Sequence, residues 1–180
     1  LKKLKNISFG AKLLLLFLFL NGVSPKCIAQ DVDYKAYTLF VYNFMKYIEW
    51  PEAQSKGDFV VCVFGESPVH KELTGLASSK KLKGRNIIIK SITKPEDAAG
   101  CQLLYVSASK SGNIKALKEQ MTGKPILIVG EREGLAKKGA LLSFVTMDDD
   151  ELKFDINKKE IEQHQLKISS QLIALGILVN

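Results

Sequence analysis

Short apolar runs alternate with amphipathic stretches along most of the chain. Phe59-Val60-Val61-Cys62-Val63-Phe64 is apolar at every position, as a strand covered on both faces must be. Residues 85–92, carrying Ile87-Ile88-Ile89, predict a second strand, residues 102–106 a third, and residues 125–129, ending at Gly130, a fourth. Between the first two, Ser67 is a helix N-cap with Pro68 at the first helical position, and residues 114–121 predict a short helix. Doubly apolar strands alternating with helices indicate βα units and a mainly parallel sheet. The pattern changes later. Residues 140–146 and 151–156 flank Asp148-Asp149-Asp150 and predict a C-terminal antiparallel hairpin. Residues 166–179 predict a closing helix. Its end, residues 172–179, is apolar except for Gly176 and is therefore expected to be buried. The class is α/β, with no internal repeat and no low-complexity segment.

Residues 34–50 read as the first helix, stopped by Pro51. At 100° per residue Lys35, Thr38, Asn43, Lys46 and Glu49 share an arc of about 140°. Leu39, Tyr42 and Trp50 fall inside that polar arc. This is more apolar surface than one core face needs. Either the domain covers the helix on two sides, or the helix offers a docking face to a partner or a second copy. Leu39 and Tyr42 are the candidate contact residues on the second reading, and Trp50 can instead belong to the core.

The N-terminal residues change the picture of charge. The 180-residue chain has 26 Lys and Arg against 19 Asp and Glu, a net +7. Residues 1–29 hold five lysines and no acid, an unbroken apolar stretch from Leu13 to Leu20, and then Pro25 and Cys27-Ile28-Ala29. A basic start, a short apolar core and a small-x-Ala end make a secretory signal peptide, with cleavage expected after Ala29. An uncleaved anchor helix is the alternative, which the length disfavours, since eight helical residues span roughly 12 Å against about 30 Å of hydrocarbon. Lys26 before Cys27 departs from a lipobox. Residues 30–180 are then a single exported domain with 21 basic and 19 acidic residues, a net +2. Nucleic-acid binders carry a basic face. Here Lys80-Lys81-Lys83-Arg85 is the only basic cluster in sequence, and it sits in a turn, so no nucleic-acid partner is expected.

Export also sets the redox environment. Two cysteines, Cys62 and Cys101, remain after cleavage, each beside a predicted strand, and they are a candidate disulfide in an oxidising compartment. Two buried thiols are the alternative. Enzymatic chemistry finds no foothold. Asp148-Asp149-Asp150-Glu151 lacks the spacing and the glycine of a calcium loop. His70 and His164 are the only histidines and have no close ligand partners in sequence. There is no nucleophile elbow and no zinc-protease motif. Gly65 stands alone after its strand, where a dinucleotide site needs three glycines. No cofactor and no metal are expected. A small-molecule ligand stays open, since ligands bind at the carboxyl ends of parallel strands. Those ends carry Glu66-Ser67, Ser107-Ala108-Ser109-Lys110-Ser111 and Gly130-Glu131-Arg132.

The helix ending Tyr42-Asn43-Phe44-Met45-Lys46-Tyr47-Ile48-Glu49-Trp50-Pro51 resembles the opening motif of the YfiR family, the DUF4154 domain. Val61-Cys62-Val63-Phe64-Gly65, Gly84-Arg85, Cys101 before a strand, and Phe154-Asp155-Ile156-Asn157 follow in the family's order. The stretch Leu166-Lys167-Ile168-Ser169-Ser170-Gln171-Leu172-Ile173-Ala174-Leu175 is similar to its terminal helix. The sequence departs at Gly139-Ala140 and Ser143-Phe144, where the family usually has Gly-Gly and Asn-Phe. The resemblance implies a Rossmann-like three-layer sandwich that binds no dinucleotide. It implies a non-enzymatic periplasmic regulator that holds down an inner-membrane signalling protein, a diguanylate cyclase or a histidine kinase, by binding its periplasmic part. It further implies dimerisation, and an inhibition tuned by redox state, which gives a Cys62–Cys101 bridge a role.

Overall fold

The computed structural model describes residues 32–180, so the expected leader and cleavage site lie outside the described residues. Residues 33–180 form one compact unit. Helix α1 (Tyr34–Tyr47) is capped by Asp33, whose carboxylate accepts from the Lys35 and Ala36 amides. Then follow β1 (Ile48–Glu49), β2 (Phe59–Phe64), α2 (Val69–Ser79), β3 (Ile87–Ile92), β4 (Leu103–Val106), α3 (Ile114–Met121) and β5 (Leu127–Gly130). The chain closes with β6 (Leu142–Thr146), β7 (Leu152–Ile156), α4 (Lys158–Gln163), β8 (Lys167–Ile168), α5 (Ser170–Ile173) and β9 (Ile177–Leu178).

Seven strands make one sheet in the order β3-β2-β4-β5-β6-β7-β9. Strands β3 to β6 are parallel to their neighbours, β6 and β7 form the antiparallel hairpin, and β9 runs parallel to β7. The α/β sandwich with a mainly parallel sheet and a late hairpin is therefore the observed architecture. The order reverses at β2. The β2-α2-β3 crossover runs one way along the sheet and β4-α3-β5 the other, and right-handed crossovers put α2 and α3 on opposite faces. Helix α1 shares the α2 layer and packs against both α2 and α5. Its Phe44 lies against Phe144 and Phe154 at ring separations of 5.8 and 4.8 Å. On the other face Lys118 of α3 is paired with Glu160 of α4 at 2.6 Å.

Two predicted elements end differently. The first helix stops at Tyr47, three residues short of expectation. Ile48 is extended and pairs with Ile168, and Glu49 pairs with Lys167. Pro51 also drives its predecessor Trp50 out of helical geometry. The closing helix over 166–179 is not formed. Those residues make β8, the one-turn α5 and β9. Ser169 breaks the run: its amide donates to the Tyr47 carbonyl, and its hydroxyl caps α5 by accepting from Leu172. Beyond the turn Gly176 runs so close to β7 that a Cβ there would overlap the Phe154 and Ile156 side chains. Of the apolar end, Leu172 is fully buried, but the residues after it are not. Leu175 and Leu178 are 59% and 57% exposed on the edge of the sheet.

His164 is fully buried below α4 and bonds the Lys124 carbonyl through Nδ1 at 3.0 Å. Burial holds its pKa below the ordinary imidazole value. Asn157 closes the family motif and is structural. Its Oδ1 caps α4 by accepting from the Glu160 amide, and its Nδ2 donates to the Ala136 carbonyl. Ser143, at the departure from the family pattern, accepts from the Ala136 amide at 3.0 Å.

Candidate functional site

The three strand-end loops singled out in the sequence meet at the carboxyl edge of the sheet. Gly65, with φ +87°, turns the chain out of β2, and the Ser107 and Lys110 side chains lie where its Cβ would stand. Ser107 and Ser109 share a hydroxyl hydrogen bond of 2.9 Å. Lys110 folds back with Nζ 5.4 Å from the Phe64 ring centre. Gly65, Ser109 and Lys110 line a cleft of about 800 Å³ together with Glu66, Ser67, His70, Ser91, Ile92 and Thr93. The cleft spans the ends of β3, β2 and β4, the point where the strand order reverses and doubly wound sheets hold their ligands.

Gly65→Ala joins two costs, a left-handed backbone and an overlap with Ser107 and Lys110. A loss of about 2–3 kcal/mol is expected in urea unfolding. Gly57, also at positive φ (+71°) but with open space where a Cβ would stand, is the control, and Gly57→Ala should cost about 1 kcal/mol. Equal losses would show that the close approach at Gly65 carries no weight.

The neighbouring position is closed by the protein itself. A helical turn begins after β4 at Ala108 and runs into α3. In nucleotide-binding sheets the N-terminal amides of such a helix hold phosphate. Here the Glu131 carboxylate, from the end of β5, accepts from the Ala108 amide at 3.2 Å. Its other oxygen accepts from the Tyr34 hydroxyl at 3.0 Å, so Glu131 also ties the start of α1 to the sheet. Burial, with the Glu131 carboxylate beside it, pushes the Tyr34 hydroxyl up to about 12. Tyr37 and the fully buried Tyr105 are raised by the same two causes. An internal carboxylate thus takes up a helix-start amide that an anion could otherwise use. In the sequence Glu131 is only a strand-end loop residue. Nothing local marks its contact with Tyr34, 97 positions away.

The remaining candidates are dispersed. Cys62 on β2 and Cys101, just before β4, are joined by a disulfide across neighbouring strands, with Cα atoms 6.0 Å apart. Both are buried. On α1 the predicted arc is divided. Thr38 is buried, Leu39 is 60% exposed, and Tyr42 is half-buried, its hydroxyl donating to the Lys81 carbonyl at 3.1 Å. Trp50 packs edge-on against Phe59, and its Nε1 donates to the Gln102 carbonyl. Most of the apolar excess on this helix is therefore covered by its own domain, and Leu39 is what stands out. Asp149 and Asp150 sit in the hairpin turn, where the Asp149 carboxylate accepts from the Glu151 amide. Among the described residues no group of three or more His, Cys, Asp or Glu is arranged to hold a metal. Arg85, from the basic turn, clasps the carbonyls of Lys56, Gly57 and Asp58 and lies over the Phe59 ring.

No curated protein matches the chain. A family model described as YfiR/HmsC-like (DUF4154) matches residues 34–177, from the first residue of α1 into β9. The chain therefore belongs to the YfiR/HmsC-like family, known for periplasmic regulators of signalling.

Proposed function

We propose that this protein is exported to the periplasm and binds the periplasmic part of an inner-membrane signalling protein of the diguanylate cyclase type, holding its output down. It acts by binding and catalyses nothing. Family membership and the basic, apolar leader support this reading. The observation that carries it further is the placement of exposed apolar residues. Leu39 on α1 and Leu175, Ile177 and Leu178 at the C-terminal edge are exposed, and α1 and α5 pack together. Patches of this kind mark protein–protein contact. The uncovered edge strand β9 carries no charged residue or proline to discourage pairing, so self-association through the same edge is the competing use.

Crosslinking the tagged protein in envelopes of its native host, followed by mass spectrometry, tests the reading. Recovery of a membrane protein with a cyclase output domain is expected. A histidine kinase in its place would keep the regulator and change the pathway. Recovery of the protein alone, or only with itself, would overturn the regulator. It would favour the second reading, a small-molecule-binding protein using the cleft of about 800 Å³ at the ends of β3, β2 and β4. The hydroxyls of Ser67, Ser91, Thr93 and Ser109 and the Lys110 ammonium support that use.

A further inference from the structure

The fold assembles a basic surface that the sequence does not display. Two clefts, of about 670 and 650 Å³, lie between α3, the loop after β5 and the start of α4, and both are lined by Lys115 and Lys138. Arg132 lines the first, and Lys137 and Lys159 the second. None of these five cations has a carboxylate within ion-pair distance among the described residues. Lys118 also lines the second cleft, but Glu160 already neutralises it. Two exposed carboxylates, Glu119 and Glu133, stand at the rim. Asp155 lies buried behind Lys137, its carboxyl raised by burial against that lysine's opposing pull. Five cations without an ion-pair partner, against two rim carboxylates and the buried Asp155, leave a positive surface on a domain whose overall charge is nearly balanced. Clefts of one sign focus the field and draw in the opposite charge.

We propose that this double cleft docks an acidic peptide segment of the partner. Three observations choose that occupant. The two clefts share Lys115 and Lys138, so an extended anion can reach the cations of both where a compact one meets only those of one. Four of the five cations are lysines, mobile point charges suited to a run of carboxylates rather than to one planar group. The cations come from three separate segments, so a ligand must span them to meet all five. The identity of the partner rests on the regulator reading above; the binding of acidic peptide does not.

The test is fluorescence anisotropy of a labelled oligoglutamate peptide with the purified protein at low salt. Binding is expected that weakens steeply with added salt. Lys137→Glu with Lys138→Glu should weaken it about tenfold or more, while Lys80→Glu with Lys81→Glu, an equal charge change in the other basic cluster, should leave it within about twofold. Arg132→Glu with Lys159→Glu is a second pair, should the first unfold the protein. Equal losses in the two clusters would reduce the effect to net charge and overturn the proposal, and so would an absence of binding. Displacement of the peptide by inorganic phosphate would assign a small anion to the cleft instead. Tighter, lysine-dependent binding to phosphatidylglycerol vesicles would assign a membrane surface. Peptide binding without capture of any signalling protein in envelopes would keep the cleft and remove the regulator. Capture that survives Lys137→Glu with Lys138→Glu would do the reverse.

Discussion

Replacing Cys62 and Cys101 together by alanine will lower the stability of the domain by about 4 kcal/mol, a fall in Tm of roughly 8–16 °C for a chain of this length. The cysteines are 39 positions apart, and the loop they close contains α2 and β3. Strand β3 is the outer edge of the sheet, where it pairs with β2 alone and is covered by α2. The bridge joins β2 to the entry of β4, so it links the two directions in which the chain leaves the point where strand order reverses. Without it the unfolded chain regains the freedom of that loop, while the folded sheet keeps the parallel ladder between β2 and β4. Most of the loss is therefore entropic and arises in the unfolded state. Thermal unfolding of the double variant and the wild type, without reductant, measures it. Reductant added to the folded wild type acts slowly, because Cys62 is fully buried. A double variant melting within about 2 °C of the wild type would show that the bridge does not hold in solution.

The parallel half of the fold was legible because its signals are local. A strand covered on both faces must be apolar throughout, and Phe59–Phe64 is; helix Ile114–Met121 carries its own periodicity. The C-terminal segment was not legible for the opposite reason. Leu172, Ile173, Leu175, Ile177 and Leu178 have the composition of a buried helix. What decides their structure is remote: the Tyr47 carbonyl that takes the Ser169 amide, and the β7 side chains that leave room only for a glycine at 176. The last turn predicted for α1 failed in the same way, since Ile48 becomes a strand only where β8 is there to pair with it. Of the candidate chemistry, the strand-end loops could be named in advance, because every parallel sheet exposes them at one edge. The Tyr34–Glu131 contact and the basic double cleft could not. Each is built from residues that only the crossovers bring together. The adjacent pairs Lys137-Lys138 and Lys158-Lys159 are the local hints at the cleft.

Helix α1 has two faces, and substitutions on them should separate stability from function. Phe44 is fully buried between Phe144 and Phe154, and its ring closes the core where α1 crosses the hairpin. Phe44→Ala removes that ring from a region already packed with aromatic side chains, which cannot collapse into the gap. A loss of about 3–5 kcal/mol is expected. Leu39 lies five residues earlier and points away from the same core. Leu39→Asp removes little buried area and leaves the charge in water, so stability should stay within about 0.5 kcal/mol. Its effect belongs to the partner. An apolar contact replaced by an ionised carboxylate must desolvate that charge on docking, which costs several kcal/mol, and capture of the signalling protein in envelopes should fall below detection. Leu178→Asp, on the edge strand, is the companion change and should act the same way. Urea unfolding and envelope crosslinking on the same three variants give the comparison. If Leu39→Asp destabilises the fold as much as Phe44→Ala, Leu39 is part of the core in solution. If Leu39→Asp and Leu178→Asp both leave capture intact, the regulator docks through another surface, and the basic cleft on the opposite layer becomes the one to test.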